Sequence, residues 1–422
     1  DNFGKLQARY DFQSNQRFEY DIRRGDDSDK PSVDLRLNTH NVELGLETEF
    51  LNWDISSGIV LNYQNNLANP NTGVRRLIPD YDQYRAGGYL VGNWQATERF
   101  SVETGIRFDQ TFMDVFKFYR TSFWEERGYD EQFPDLVVEE TGNQILTNPQ
   151  LNFSNVSATL GGSFDIAENW ALYANLSLST RAPNASELFS EGLHHSASRI
   201  ELGDLRFDSE TSKKVIATLQ KKGELSFSVS PFYNSLDNFI IIEPTGVEQT
   251  LRGNFQVWEY RQTAAEMLGI DFDFSAQLLE YLSFSNTFSL VKGYERSTET
   301  PLINVPPVSF SNSLTYLASG LRASLTQNYV FEQNEFPNTN FDVFIPETQS
   351  FEEVDVSTPP EAYQLWDLSM AYQLPFVKNG AVEVGLQVEN IFNTSYRNYL
   401  NRLRYYADDI GRNFMFNTKI NF

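Results

Sequence analysis

The last eleven residues, Arg412 to Phe422, alternate. Phe414, Phe416, Thr418, Ile420 and Phe422 fall on one face of a strand, and Asn413, Met415, Asn417, Lys419 and Asn421 on the other. Such a strand fits a wall with hydrocarbon on one side and water on the other, the pattern of a transmembrane antiparallel β-barrel. The same rule must then hold along the whole chain.

Composition narrows the alternatives. The 422 residues suffice for several soluble domains or one large barrel. Mean hydropathy is -0.44, and no apolar run approaches the ~18 residues of a helical span. A barrel escapes that test because only alternate residues meet lipid. The net charge of -24 argues against nucleic acid as a partner. Without Cys, neither a disulfide framework nor a thiolate metal site can form. Asp1-Asn-Phe-Gly-Lys5 has no signal-peptide character, so a mature form or a fragment is expected.

Period-two runs dominate. Strands are expected near 4–14, 16–24, 33–49, 53–66, 81–94, 99–120, 151–165, 169–181 and 211–222. Others follow near 224–243, 254–277, 280–294, 305–318, 320–333, 361–374, 380–393 and 412–422, about seventeen in all. Short turns at Ile166–Glu168, Lys221–Glu224, Ser319–Gly320 and Pro375–Lys378 alternate with long connections. The long ones lie near 67–80, 121–150, 182–210, 244–253, 295–304, 334–360 and 394–411. Short periplasmic turns and long extracellular loops give this alternation. In one segment the apolar parity flips, from Val33, Leu35 and Leu37 to Val42, Leu44 and Leu46, which predicts a β-bulge or a turn near 38–41. An odd strand count conflicts with the even number of bacterial barrels, so missing initial strands are expected.

Several motifs fall in a recognisable order. They are Thr180-Arg-Ala-Pro-Asn-Ala-Ser-Glu-Leu-Phe189, Ile200-Glu-Leu-Gly-Asp204, Ser209-Glu-Thr-Ser212 and Pro231-Phe-Tyr-Asn234 with Asp237-Asn-Phe-Ile240. Asn304-Val-Pro-Pro307, Val388-Glu-Asn-Ile-Phe-Asn393 with Tyr396, and Gly411-Arg-Asn-Phe-Met-Phe416 complete the series. Over roughly residues 150–422 the chain resembles the C-terminal barrel of TonB-dependent outer-membrane receptors. That family closes 22 strands around a plug. By the resemblance this chain matches strands 6 to 22 as one barrel domain over 1–422, with the plug, the TonB-binding box and about five strands absent. The resemblance implies an outer-membrane location in a Gram-negative bacterium, contact with lipid, and coupling to the TonB complex through the missing N-terminal part. The sequence has no phosphate-binding glycine loop, nucleophile elbow or paired Cys, so neither catalysis nor an intrinsic cofactor is expected. Phe414, Phe416, Ile420 and Phe422 would present the closing strand to the barrel-assembly machinery.

The candidate ligand-binding residues lie in the long loops. His194 and His195, with Glu187, Glu191, Glu201 and Asp204 nearby, have the donor types for zinc or another transition metal. One His could instead ligate haem iron, as in receptors with an "RAP" box followed by His, although their "NPNL" box reads Gly203-Asp-Leu-Arg206 here. A solvated His pair that binds nothing is the plain alternative. Arg181 could hold an anionic siderophore or propionate, or pair locally. Trp124, Tyr129, Tyr399 and Tyr405 offer aromatic area with a polar handle. Acidic runs at Glu125–Glu140 and Asp342–Asp355 could attract cations, or merely keep loops solvated.

The expected function is import of a scarce ligand, a ferric siderophore or other metal chelate first, with haem, zinc and copper as alternatives. A passive porin or adhesin barrel would share the strands. A soluble β-sandwich that binds glycans would bury its apolar faces between two sheets.

Overall fold

The computed structural model describes residues 4–20, 22–69, 77–250, 253–345, 348–374 and 381–421. Among the described residues sixteen strands form one antiparallel wall. They are β1 (Lys5–Glu19), β2 (Val33–Phe50), β3 (Trp53–Ala68), β4 (Asp80–Thr97), β5 (Phe100–Arg120), β6 (Gln150–Ala167), β7 (Trp170–Arg181) and β8 (Glu210–Lys221). Then come β9 (Leu225–Thr250), β10 (Gly253–Leu279), β11 (Leu282–Glu295), β12 (Ser309–Ala318), β13 (Leu321–Val330), β14 (Tyr363–Leu374), β15 (Ala381–Glu389) and β16 (Asn413–Asn421). Each pairs with its neighbours in sequence, so the sheet is a single meander rather than the two packed sheets of a sandwich. Among the described residues no pairing joins β1 to β16.

Sixteen replaces the expected seventeen because the first two predicted strands are one. Ser14, Asn15 and Gln16 resemble a turn by composition. In the fold they continue an unbroken register from Lys5↔Glu47 to Glu19↔Val33. The predicted bulge near 38–41 is also absent, since β2 keeps continuous register with both β1 and β3. The parity flips because the environment changes. Val42, Leu44 and Leu46 point outward and are exposed, whereas Val33 and Leu35 point inward against Ala68 and Ile78. The expected loop 244–253 is shortened by strand: β9, 26 residues long, continues to Thr250, and β10, 27 residues long, begins at Gly253. The expected turn Pro375–Lys378 lies outside the described residues.

The outward face carries the membrane signature. On β3, Trp53 stacks on Trp94 at 5.8 Å, and Tyr63 stacks on Tyr84 at 4.9 Å. The rise between these two levels, at ~3.3 Å per residue and ~40° tilt, is about 25 Å, the height of a transmembrane band. Between them lie Ile59 and Leu61, both exposed. His40 belongs to the upper belt, with Phe12 at 4.8 Å and Tyr63 at 5.9 Å.

Inward positions are small and polar, often hydroxyl against hydroxyl, as in Thr218–Ser230 at 2.9 Å and Thr315–Ser324 at 2.8 Å. At Gly58 a Cβ would lie 2.7 Å from the Tyr89 hydroxyl, so only glycine lets that ring lie across β3. The turn Ser319–Gly320 has both φ angles positive (51° and 78°), the two-residue geometry that matches strand twist.

Leu61→Arg, outward in mid-band, is expected to cost about 2–4 kcal/mol in a folding equilibrium measured in bilayers. The adjacent inward change Val60→Arg should cost much less. Equal losses would contradict the assignment of faces.

Candidate functional site

Above the upper aromatic belt the connections fold into a cap. The hairpin Val137–Thr141 with Gln144–Thr147 pairs onto the top of β5. The connection between β7 and β8 folds as helix Ala185–Phe189 and a hairpin, Glu191–His194 with Arg199–Leu202. That hairpin extends the sheet by pairing Arg199–Leu202 parallel to Gln256–Glu259 of β10. An apolar core fills the space between, built from Met113, Tyr119, Phe123, Leu188 and Phe189 among others.

Trp124 and Tyr129 lie inside this core and are about 1% exposed, so they hold the cap together instead of facing the lumen. The Tyr129 hydroxyl donates to Asp204 at 3.0 Å and accepts from the Leu205 N–H at 3.2 Å. Burial raises its pKa.

Arg181 ties the two ends of its loop. It donates to both Glu187 oxygens at 3.0 and 3.1 Å and to Glu210 at 3.0 Å. Glu187 also accepts from the Asn184 N–H at 2.8 Å, completing a capping box on the short helix. Glu191 is fully buried beside Lys117 at 3.4 Å and Arg120 at 3.3 Å. These three side chains are spent on local structure.

His194 anchors a polar network that crosses the sheet. Its Nε2 lies 2.7 Å from Arg17 Nη2 of β1, and its Nδ1 lies 3.0 Å from Glu201. A guanidinium can only donate, so Nε2 accepts and Nδ1–H donates to the carboxylate. Both ring nitrogens are therefore engaged. Ser196 bonds to Glu19 through its N–H at 3.2 Å and its hydroxyl at 3.1 Å. Arg199 bonds to Glu201 at 2.8 Å and lies 4.6 Å over Trp258. Burial alone would raise the Glu201 pKa, but the His194 hydrogen bond and the Arg199 charge outweigh it and hold the group at about 2. His195 starts the short turn His195–Ala197. Among the described residues no group of three or more His, Asp or Glu is arranged to hold a metal ion.

Tyr399 and Tyr405 flank a residue the sequence did not single out. The Arg404 guanidinium lies 4.5 Å from the Tyr399 ring and 4.6 Å from the Tyr405 ring, almost wholly buried. It donates to Asn304 at 3.0 Å, and the Tyr405 hydroxyl donates to the Val356 carbonyl at 2.7 Å. Burial pushes Tyr405 up to about 12. Arg404 thus fastens three loops. The Tyr406 hydroxyl reaches the Ser198 carbonyl at 3.3 Å and links them to the His194 hairpin. No local motif marks Arg17, Glu19 or Arg404 as parts of the cap, because the partners that place them there, His194, Ser196 and Asn304, are distant in sequence.

The acids predicted on loop surfaces are there. Glu125, Glu126, Asp130, Glu131, Asp135, Glu139 and Glu140 are all exposed, as are Asp342, Glu352, Glu353 and Asp355. Glu347 lies outside the described residues. On the last strand Phe414, Phe416 and Ile420 are exposed on the outward face, while Phe422 lies outside the described residues.

A family model described as "TonB dependent receptor-like, beta-barrel" matches residues 1–391. The chain belongs to this family. Barrels of this kind are outer-membrane proteins of Gram-negative bacteria, and the family is one of receptors and transporters. The copper transporter OprC shares 17% identity at a TM-score of 0.73, over 100% of this chain and 63% of that one. The ferric yersiniabactin uptake receptor FyuA from Yersinia pestis shares 15%, TM-score 0.61, over 99% and 58%. The siderophore receptor PirA from Acinetobacter baumannii shares 16%, TM-score 0.62, over 100% and 60%. At such identities the likeness concerns the fold. The chain spans about three fifths of the length of these receptors. A comparison with curated protein sequences finds no match.

For Glu201 a free carboxyl titrates near 4.5 and the folded one near 2, so ionised Glu201 stabilises the cap fully above pH 4.5. The gain, roughly 3 kcal/mol, fades as pH falls from 4.5 toward 2. Hydrogen exchange in 191–202, corrected for intrinsic rate, should rise over that window. Glu201→Gln should show faster exchange at neutral pH and a flattened pH response.

Proposed function

We propose that this chain is the barrel part of an outer-membrane receptor that imports a scarce, bulky metal chelate. Segments outside this sequence would supply the plug, the remaining strands and the contact with the TonB complex. The observation that carries the reading is the folded cap of loops on a wall of the receptor family. Such a cap can enclose a ligand larger than a bare ion.

Two features favour a chelate over a free metal. Both nitrogens of His194 are committed to Arg17 and Glu201, so its lone pair is not offered to an incoming ion. Coordination by a chelator removes the need for protein ligands. The connection between β5 and β6 exposes seven carboxylates, Glu125, Glu126, Asp130, Glu131, Asp135, Glu139 and Glu140, which disfavours a strongly anionic cargo at close range. A ferric chelate that is neutral or cationic suits this rim. The named neighbours are a copper transporter, a ferric yersiniabactin uptake receptor and a siderophore receptor. They support the metal theme without choosing the cargo.

The test is uptake by cells that express the full-length receptor as their only route. The probes are a cationic ferric hydroxamate, an anionic ferric tris-catecholate, haemin, and copper and zinc salts. Uptake of the hydroxamate well above the tris-catecholate is expected. The double variant His194→Ala/His195→Ala should slow uptake of that chelate through a loosened cap, with no effect specific to metal salts. Efficient uptake of copper or zinc salts, abolished by this variant while the barrel still folds, would defeat the chelate reading.

A further inference from the structure

On one part of the wall the lipid-facing surface is not apolar. The outward positions of β11, β12, β13 and β14 carry four amides in a row: Asn286, Asn312, Gln327 and Gln364. They bond head to tail across the strands. Asn286 donates to Asn312 at 2.8 Å, Asn312 to Gln327 at 3.2 Å, and Gln327 to Gln364 at 3.2 Å. The first three are embedded in apolar surface. Phe284 and Phe288 flank Asn286 along β11, Leu314 and Phe310 flank Asn312, and Leu325 and Tyr329 flank Gln327. At mid-band on the other side, β2 to β5 present Val42, Leu61, Ile106 and Phe108. A second outward amide pair, Gln110 with Asn152, spans only two strands and adjoins the Phe112 belt.

An amide facing hydrocarbon is unfavourable unless its polar atoms are satisfied. The ladder uses only one N–H each of Asn312 and Gln327. Asn312 and Gln327 each keep a second N–H and a second acceptor lone pair. In lipid such groups hold membrane segments together.

We propose that this ladder is the contact surface for a second copy of the same chain within the outer membrane. A two-fold axis along the membrane normal would bring Asn312 and Gln327 against their own counterparts. An amide is its own complement, because every spare donor finds a spare acceptor of the same kind. An isologous contact needs only that. The aromatic rings on either side supply flat surface for packing. The proposal rests on the membrane-spanning reading of the wall and is independent of the cargo.

This chain has no Cys, and any Cys elsewhere in the full-length receptor is first replaced by Ser. Asn312→Cys in the full-length receptor, oxidised in native outer membranes, should give a covalent dimer of twice the receptor mass. Ile59→Cys, outward in mid-band on β3, should stay monomeric. The variant Asn312→Leu/Gln327→Leu should run as a monomer in mild detergent where the native receptor runs as a dimer. Its heat-dependent gel migration should be unchanged, which separates loss of contact from loss of folding. No cross-link above the Ile59→Cys background would overturn the proposal. So would a cross-link to a band of different mass.

Discussion

In hydrocarbon no water is available to a peptide group, so every N–H and C=O that crosses must find another strand. The sixteen-strand meander, the unbroken registers and the alternation of side chains all follow from that requirement. The requirement also singles out the two edges. The outer row of β1 and the outer row of β16 have no partner among the described residues. In a membrane both rows need a hydrogen-bonding partner.

The same constraint decides where sequence could be read. Within the membrane each face of a strand has one environment, and a period of two reports it directly. That is why the strands from β3 onward were legible, including the Ser319–Gly320 turn. Above the belt the code fails. Val33 and Leu35 are apolar because they meet a loop core, not lipid, and the change of partner looks like a slip in register. Ser14 to Gln16 look like a turn because polar residues stand where the strand leaves the bilayer. The tall hairpin of β9 and β10 looks like a loop for a similar reason: it stands in water, with no lipid to impose alternation.

The location of the cap was legible, but the roles within it were not. Its aromatic and ionisable residues are the types a binding site would use, and the fold spends many of them internally. Trp124 and Tyr129 pack as a core, and Arg181 closes its own loop. His194 shows the limit most clearly. Its neighbours in sequence suggested metal, while one of its decisive partners, Arg17, sits on the first strand. Composition reports which groups are available, and only the fold reports which are already satisfied.

The cap also separates two electrostatic layers. Inside, each carboxylate near His194 meets a cation or a hydrogen bond, as with Glu19 beside Arg17 and Glu201 beside Arg199. Outside, the carboxylates of the connection between β5 and β6 stand exposed. At physiological salt their field decays over ~8 Å, so it acts on a ligand only once the ligand has reached the rim. On the proposed import reading, discrimination by charge would belong to the last nanometre of approach, and selectivity beyond that would depend on what the cap exposes. Because Arg404 and Tyr406 tie the last loop to three others, any opening that admits a bulky ligand must break those contacts together rather than one loop at a time.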